Sequence, residues 1–204
     1  MSVKSKSRPS RTQAERRATT RRMLLDATIE TLQEMGYKGC TIAAVARNAG
    51  MTTGAVQHHF KSKSALMQAV IAERIYNTDV PSSLAGAENK TIKERTRLVI
   101  DEMWRYYGNP NYSVIWEIIL GARDDSALLA AISQFYNELS DHTEKQIGEF
   151  FADLAITPDQ ARALNLFLNS QLRGLSLSRV LINEEEISDQ LDILESLITM
   201  RLGG

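Results

Sequence analysis

The stretch Thr41–Phe60, TIAAVARNAGMTTGAVQHHF, places Ala46 four residues before Gly50 and Val56 six after it. Two short helices cross closely only where a small side chain lies at the contact, and Ala46 supplies one. Glycine accepts the positive φ of a tight turn, and a branched apolar residue such as Val56 anchors the second helix on the first. Thr41 and Thr52 stand where each helix would begin, and a threonine hydroxyl there accepts from a first-turn N–H. The pattern reads as a helix-turn-helix. Chance supplies the same spacing in many helical chains, so its surroundings decide its weight.

Charge is the first of these. The 204-residue chain has a net charge of −1, yet residues 1–63 carry 12 Lys and Arg against 4 Asp and Glu, and the remainder 12 against 21. Such asymmetry suggests that the first part meets a polyanion and the rest does not. Cys40 is the only cysteine, which leaves no internal disulfide framework and no Cys-rich zinc site. His58 and His59 are neighbours that diverge by about 100° on a helix, so no metal site is expected. The apolar run Val114–Ala122 is interrupted by Glu117 and is too short to span a bilayer, and residues 1–12 lack a signal-peptide core. A cytoplasmic protein is the default expectation, with no membrane partner and no cofactor.

Apolar residues recur at helical spacing throughout, and strand-like alternation is absent. The reading is all-α, about nine helices. Residues 1–11 are expected to be a disordered basic arm, whose Lys4, Lys6, Arg8 and Arg11 suit a minor groove. Thr12 and Glu15 form a capping-box start for a first helix with Leu25, Thr28, Ile29, Leu32 and Met35 on its buried stripe, ended by Gly36 and Gly39. Ser62 opens a fourth helix carrying Leu66, Ala69, Val70 and Tyr76. The stretch 81–90, PSSLAGAENK, reads as a linker. Thr91 with Glu94, Thr157-Pro158-Asp159-Gln160 and Asn183 with Glu186 open later helices; the eighth runs to about Ile182, and the seventh carries its stripe as far as Leu154.

In a helix-turn-helix the start of the second helix reaches base edges while flanking groups hold phosphates. Thr52, Thr53, Gly54 and Ala55 fall at that start. Thr41 lies at a helix N-terminus, where free N–H groups suit phosphate. Arg47, His58, His59, Lys61 and Lys63 are further backbone-contact candidates, and the run Arg16, Arg17, Arg21 and Arg22 places more positive charge nearby. Ala46, Gly50, the Thr53-Gly54-Ala55 step, His58-His59-Phe60 and Lys63-Ser64-Ala65-Leu66 together resemble the TetR family of transcriptional repressors over about residues 14–75. Gln57 departs from that family pattern, which usually has a phosphate-touching tyrosine here. Glutamine can bond phosphate or pair bidentately with adenine.

The resemblance implies a division into the arm 1–11, a three-helix helix-turn-helix DNA-binding domain over 12–63, and a helical ligand-sensing and dimerising domain over 64–204. It also implies a homodimer on a palindromic double-stranded operator, released by a small-molecule effector that the sequence leaves unidentified. The last two helices carry wide apolar faces; Leu164, Leu168, Leu172 and Leu175, with Leu191, Leu194 and Ile198, are expected at the dimer interface as half of a four-helix bundle. Candidate ligand contacts among the middle helices are Trp104, Tyr107, Trp116, Phe135, Asn165 and Asn169, with Glu117 or Arg173 as polar anchor. No catalytic constellation is present, so an enzyme is not expected. A competing reading is an all-α small-molecule binding protein with a vestigial helix-turn-helix, against which the charge split argues; a TetR-like activator is another.

Overall fold

The computed structural model describes residues 12–75 and 89–203, and among these the chain is entirely helical and turn. The basic arm, Tyr76 and all of the expected linker except Asn89 and Lys90 lie outside the described residues. The chain divides into two compact units, one running through Val70 and the other beginning at Ile71.

The first unit comprises α1 (Gln13–Gly39), α2 (Ile42–Asn48), α3 (Thr53–His59) and α4 (Lys63–Val70). Thr12 and Glu15 form the capping box that starts α1. Leu24, Leu25, Thr28, Ile29 and Leu32 face inward, whereas Met35 is exposed. The inward stripe stops there because Gly36 breaks the helical path, with φ 65° and ψ 178°, and a short last turn carries on to Gly39. α4 packs on α1, so the division falls at 70/71 rather than at the expected 63/64. Leu66, Met67 and Val70 of α4 close the same core as Val45, Val56 and Phe60.

A π-helical turn, Ile71–Ile75, opens the second unit. It continues with α5 (Ile92–Tyr107), α6 (Ser113–Gly121), α7 (Ser126–Phe150), α8 (Pro158–Ser178) and α9 (Glu184–Gly203). α5 packs against α8 and α9, and α7 against α8. Thr157 and Gln160 cap α8 reciprocally with Pro158 in its first turn, and Asn183 and Glu186 do the same for α9. α8 ends at Ser178, short of Ile182, and Leu154 lies in a 3-10 turn beyond the end of α7.

That end of α7 is held by Arg95, which is 4% exposed. Its guanidinium donates to both Asp153 carboxylate oxygens, at 2.8 and 2.7 Å, and to the Phe150 carbonyl. It also lies against the Phe150 and Phe151 rings. A desolvated cation needs such a charge-matched, bidentate setting, although its Nε is buried without a hydrogen-bond partner.

Five of the seven residues expected between subunits pack within the subunit's own core, while Leu175 and Leu194 also line the outward groove of α8 and α9. Leu168, Leu172, Leu191, Leu194 and Ile198 are buried within the single chain, and Leu164 and Leu175 are half-buried. The apolar residues left outside on these helices are Leu166, Phe167, Leu177, Ile193, Leu197 and Met200. Both helices are apolar on two sides, and periodicity reveals a stripe without saying which stripe faces the subunit's own core.

Candidate functional site

The turn between α2 and α3 is closed by two backbone bonds. Met51 N–H donates to the Ala46 carbonyl at 2.8 Å and Gly50 N–H to that of Arg47 at 3.2 Å. This is the Schellman pattern, with Gly50 as the left-handed residue at φ +64°. Ala46 is buried at the crossing, and the hydroxyls of Thr41 and Thr52 accept from Ala44 and Ala55 N–H. Sequence reasoning missed the clamp that fixes this pair on α1. The Asn48 side-chain amide lies 3.1 Å from the Ala27 carbonyl, 3.2 Å from the Thr31 hydroxyl and 3.3 Å from the Glu30 carboxylate. An asparagine in the last turn of a seven-residue helix was its only signal.

With Val56 and Phe60 in the core, the other side of α3 faces solvent. Thr53 and Gln57, one turn apart, share that side, flanked by Gly54 and His58, with Ala55 half-buried; all of these except Ala55 are exposed. Thr41, Arg47, Thr52 and Lys61 are exposed beside them. The Arg21 guanidinium sits 4.5 Å from the Phe60 ring centroid, which brings the basic face of α1 to the end of α3. Burial, then His58, Arg17 and Arg21, hold the His59 imidazole below its usual pKa. At neutral pH it is therefore a neutral hydrogen-bonding group rather than a cation.

Lys63 is less free than its place in the sequence suggests. Its ammonium lies 3.9 Å from the Tyr37 ring centroid and donates to the Tyr37 carbonyl, one of the last in α1. Burial lowers its pKa. The residue ties α4 to the C-terminal end of α1, where a cation is favoured, and it retains two further N–H donors.

In the second unit a cavity of about 300 Å³ opens among α6, α7 and α8. Its walls are Ile115, Ile119, Leu129 and Ile132, with the rings of Tyr112, Trp116 and Tyr136; Ser133 and Arg173 are its other polar members. The Arg173 guanidinium is 4.3 Å from the Tyr136 ring centroid and 5.8 Å from that of Tyr107. The indole N–H of Trp116 is buried with no hydrogen-bond partner.

Of the expected ligand contacts, Trp116 and Arg173 line this space. Tyr107, Asn165 and Asn169 do not; they are committed to one another. The Tyr107 hydroxyl donates to Asn169 Oδ1, Asn169 Nδ2 to Asn165 Oδ1 at 2.9 Å, and Asn165 Nδ2 to the Ser140 hydroxyl at 3.0 Å and carbonyl at 3.2 Å. Buried amides must be satisfied, and these are satisfied internally. Trp104 packs under the turn at Gly108, Glu117 is exposed, and Phe135 is half-buried on α7 away from the cavity wall.

Comparison with known proteins agrees with this arrangement. Residues 24–70 match the family model described as bacterial regulatory proteins, tetR family. The chain is 27% identical to the HTH-type transcriptional regulator CymR of Pseudomonas putida over 177 residues, 86% of this chain and 87% of CymR. It is 43% identical to the HTH-type transcriptional regulator BetI of Escherichia coli (strain K12 / DH10B) over 53 residues, which span 26% of this chain and 27% of BetI. The fold is shared with the transcriptional regulator FadR from Bacillus subtilis, solved in complex with stearoyl-CoA; the TM-score is 0.63 at 18% identity, covering 89% of this chain and 96% of that one.

Proposed function

We propose that this chain, whose residues 24–70 match the tetR family of bacterial regulatory proteins, is a DNA-binding transcriptional regulator, a homodimeric repressor released from its operator by a small molecule. The observation that carries the reading is the exposed Thr53–Gln57 side of α3, presented by a buried Val56–Phe60 side and flanked by basic residues. Thr53 and Gln57 reach base edges, and Gly54 and Ala55 let the backbone approach. Thr41, Arg47, Thr52, His58, His59 and Lys61 hold the DNA backbone, with Lys63 adding a shared contact.

The homodimer is supported by the outward face of α8 and α9. Phe167, Ile193 and Leu197 are 40–52% exposed there, beside the small Ser170 and Gly174, along a groove of about 460 Å³. A second copy covers this face, and two-fold symmetry matches a palindromic operator. Ligand in the cavity of the second unit favours a dimer arrangement whose α3 helices no longer meet successive major grooves, about 34 Å apart. CymR, similar along most of its length, supports a transcriptional regulator, and FadR, solved in complex with stearoyl-CoA, supports one that answers to a small molecule. The cavity is several times too small for an intact acyl-CoA.

Selection of bound duplexes from a random DNA library, repeated at rising salt and with cell extract, tests the reading. Repression requires a palindromic consensus, a steep salt dependence and loss of binding with some extract fraction. A salt-independent, sequence-indifferent response overturns it. Leu197→Glu should convert a dimer in sedimentation to a monomer.

A further inference from the structure

We infer that DNA binding takes up a proton at His59, so that the affinity of this protein for a duplex rises as pH falls. This rests on the backbone contact proposed above for the end of α3 and adds a pH dependence to it. Four basic side chains from two helices converge there, His58 and His59 of α3 with Arg17 and Arg21 of α1. The two imidazole rings meet edge to face with centroids 5.6 Å apart. The Phe60 ring lies 6.4 Å from the His59 ring and 4.5 Å from the Arg21 guanidinium. His59 is half-buried within this group, and His58 and Arg17 are exposed beside it.

The second observation is that the helices around His59 present it with no carboxylate. Residues 35–72 contain no Asp or Glu, so α2, α3 and α4 carry none. Besides the histidines, the charged residues of that part are Arg47 on α2, Lys61 in the turn after α3, and Lys63, which is turned to the Tyr37 carbonyl. On α1 the carboxylates of Glu15, Asp26, Glu30 and Glu34 stand at least about 100° round the helix from the line of Arg17 and Arg21. Glu15 accepts from the Thr12 amide and Glu30 from the Asn48 side chain. Burial and three like charges therefore keep the imidazole neutral at pH 7 in the free protein.

A duplex brings the charge that the cluster lacks. Its phosphate oxygens meet the imidazole and the two guanidinium groups together, and an opposite charge within about 4–6 Å raises the pKa of a base by about 1 to 3. The complex then binds more protons than the free protein wherever pH lies between the bound and free values. Affinity rises as pH falls through that window and levels off below the free value. Each step of one in pKa is about tenfold in affinity. Above the window the neutral ring still has one N–H for a phosphate oxygen, so binding weakens without vanishing.

The full-length protein is titrated with a duplex selected from a random library, at constant ionic strength. Affinity should tighten about tenfold between about pH 8 and pH 6. Calorimetry in phosphate and in Tris, whose ionisation enthalpies differ, should show protons taken up on binding. His59→Gln should flatten the profile, and His58→Gln should retain the slope whatever its effect on affinity. Following the imidazole resonances of the wild type reads the same event without a variant, should His59→Gln fail to fold: the His59 pKa should be higher with duplex than without. An equal pKa in the two states, or a slope that survives His59→Gln, overturns the proposal. Constant affinity across pH overturns the coupling and leaves DNA binding standing. A protein that binds no duplex at any pH overturns both.

Discussion

Gly50 and Gly36 have nearly the same φ, +64° and +65°, yet alanine at the two positions should cost different amounts. An added Cβ at Gly50 meets nothing within 4 Å, so its whole penalty is conformational. Holding an L-residue left-handed costs about 1–2 kcal/mol. Alanine returns roughly 0.4–1 kcal/mol by restricting the unfolded chain, leaving a net loss of about 1 kcal/mol. Gly36 combines its positive φ with ψ 178°, a region open essentially to glycine alone. Strain there runs to about 1–3 kcal/mol, and the expected loss is about 2 kcal/mol. Amide hydrogen exchange reads both. Val56 and Phe60 donate to Thr52 and Val56 carbonyls inside α3; in Gly50→Ala their exchange should quicken about fivefold. The buried amides of α1 in Gly36→Ala should quicken up to about thirtyfold. Gly50→Asn should cost less than alanine, because asparagine tolerates the left-handed region. A Gly50→Ala loss beyond about 3 kcal/mol would mean that the Cβ clashes, and equal losses at the two glycines would refute the distinction drawn from ψ.

Lys63→Met should lower stability by about 1–2 kcal/mol, from a partly exposed cation–π contact and a charged bond to the Tyr37 carbonyl; an unchanged melting temperature would restore Lys63 to a pure phosphate contact. Thr53→Ala and Gln57→Ala should each shift the preferred base at one operator position, by about 1–3 kcal/mol of discrimination. Identical selection profiles for both variants and wild type would remove base reading from this side of α3. The hydrogen bond from Arg95, aided by its charge, holds the Asp153 carboxyl below its usual pKa of 3.8. The stability this supplies is complete above the unfolded pKa and drains as pH falls through the lowered folded one. Asp153→Asn should therefore melt below wild type at neutral pH, with the gap closing under about pH 3.8; a gap constant with pH would show that the ion pair is not its source.

What was legible in the sequence is what local chemistry determines. Thr12, Thr41, Thr52, Thr91 and Thr157 each cap the helix they were expected to open, because a cap is a contact within three residues. Gly50 and Val56 do what their spacing required, since the two helices they join are seven residues each and meet at once. Lys63 was only half legible for the opposite reason. Its partner, Tyr37, is 26 residues away, and nothing near position 63 announces that a carbonyl at the end of α1 will be in reach. The Leu168 and Leu172 stripe was seen as a stripe but assigned to the wrong neighbour, since α8 offers Phe167 and Leu197 of α9 an apolar side as well.

The polar residues of α8 show how the two kinds of information combine. Asn165, Asn169 and Arg173 recur every four residues, so they lie along one line of the helix. Polar character among the apolar middle helices made all three ligand candidates, yet their burial separates them. Asn165 is fully buried and Asn169 nearly so, and a buried amide must find partners whether or not a ligand is present. They find Ser140 on α7 and Tyr107 on α5, which joins three helices through one hydrogen-bonded chain. Arg173 stands one turn further on, beyond that chain and at the cavity. The Tyr107 ring whose hydroxyl bonds Asn169 lies 5.8 Å from its guanidinium. The asparagines thus position the Tyr107 ring beside Arg173, and of the three polar residues Arg173 is the one that lines the cavity. Buried amides that satisfy one another belong to the framework, so along this polar line only the residue at the cavity wall stays a candidate for a ligand contact.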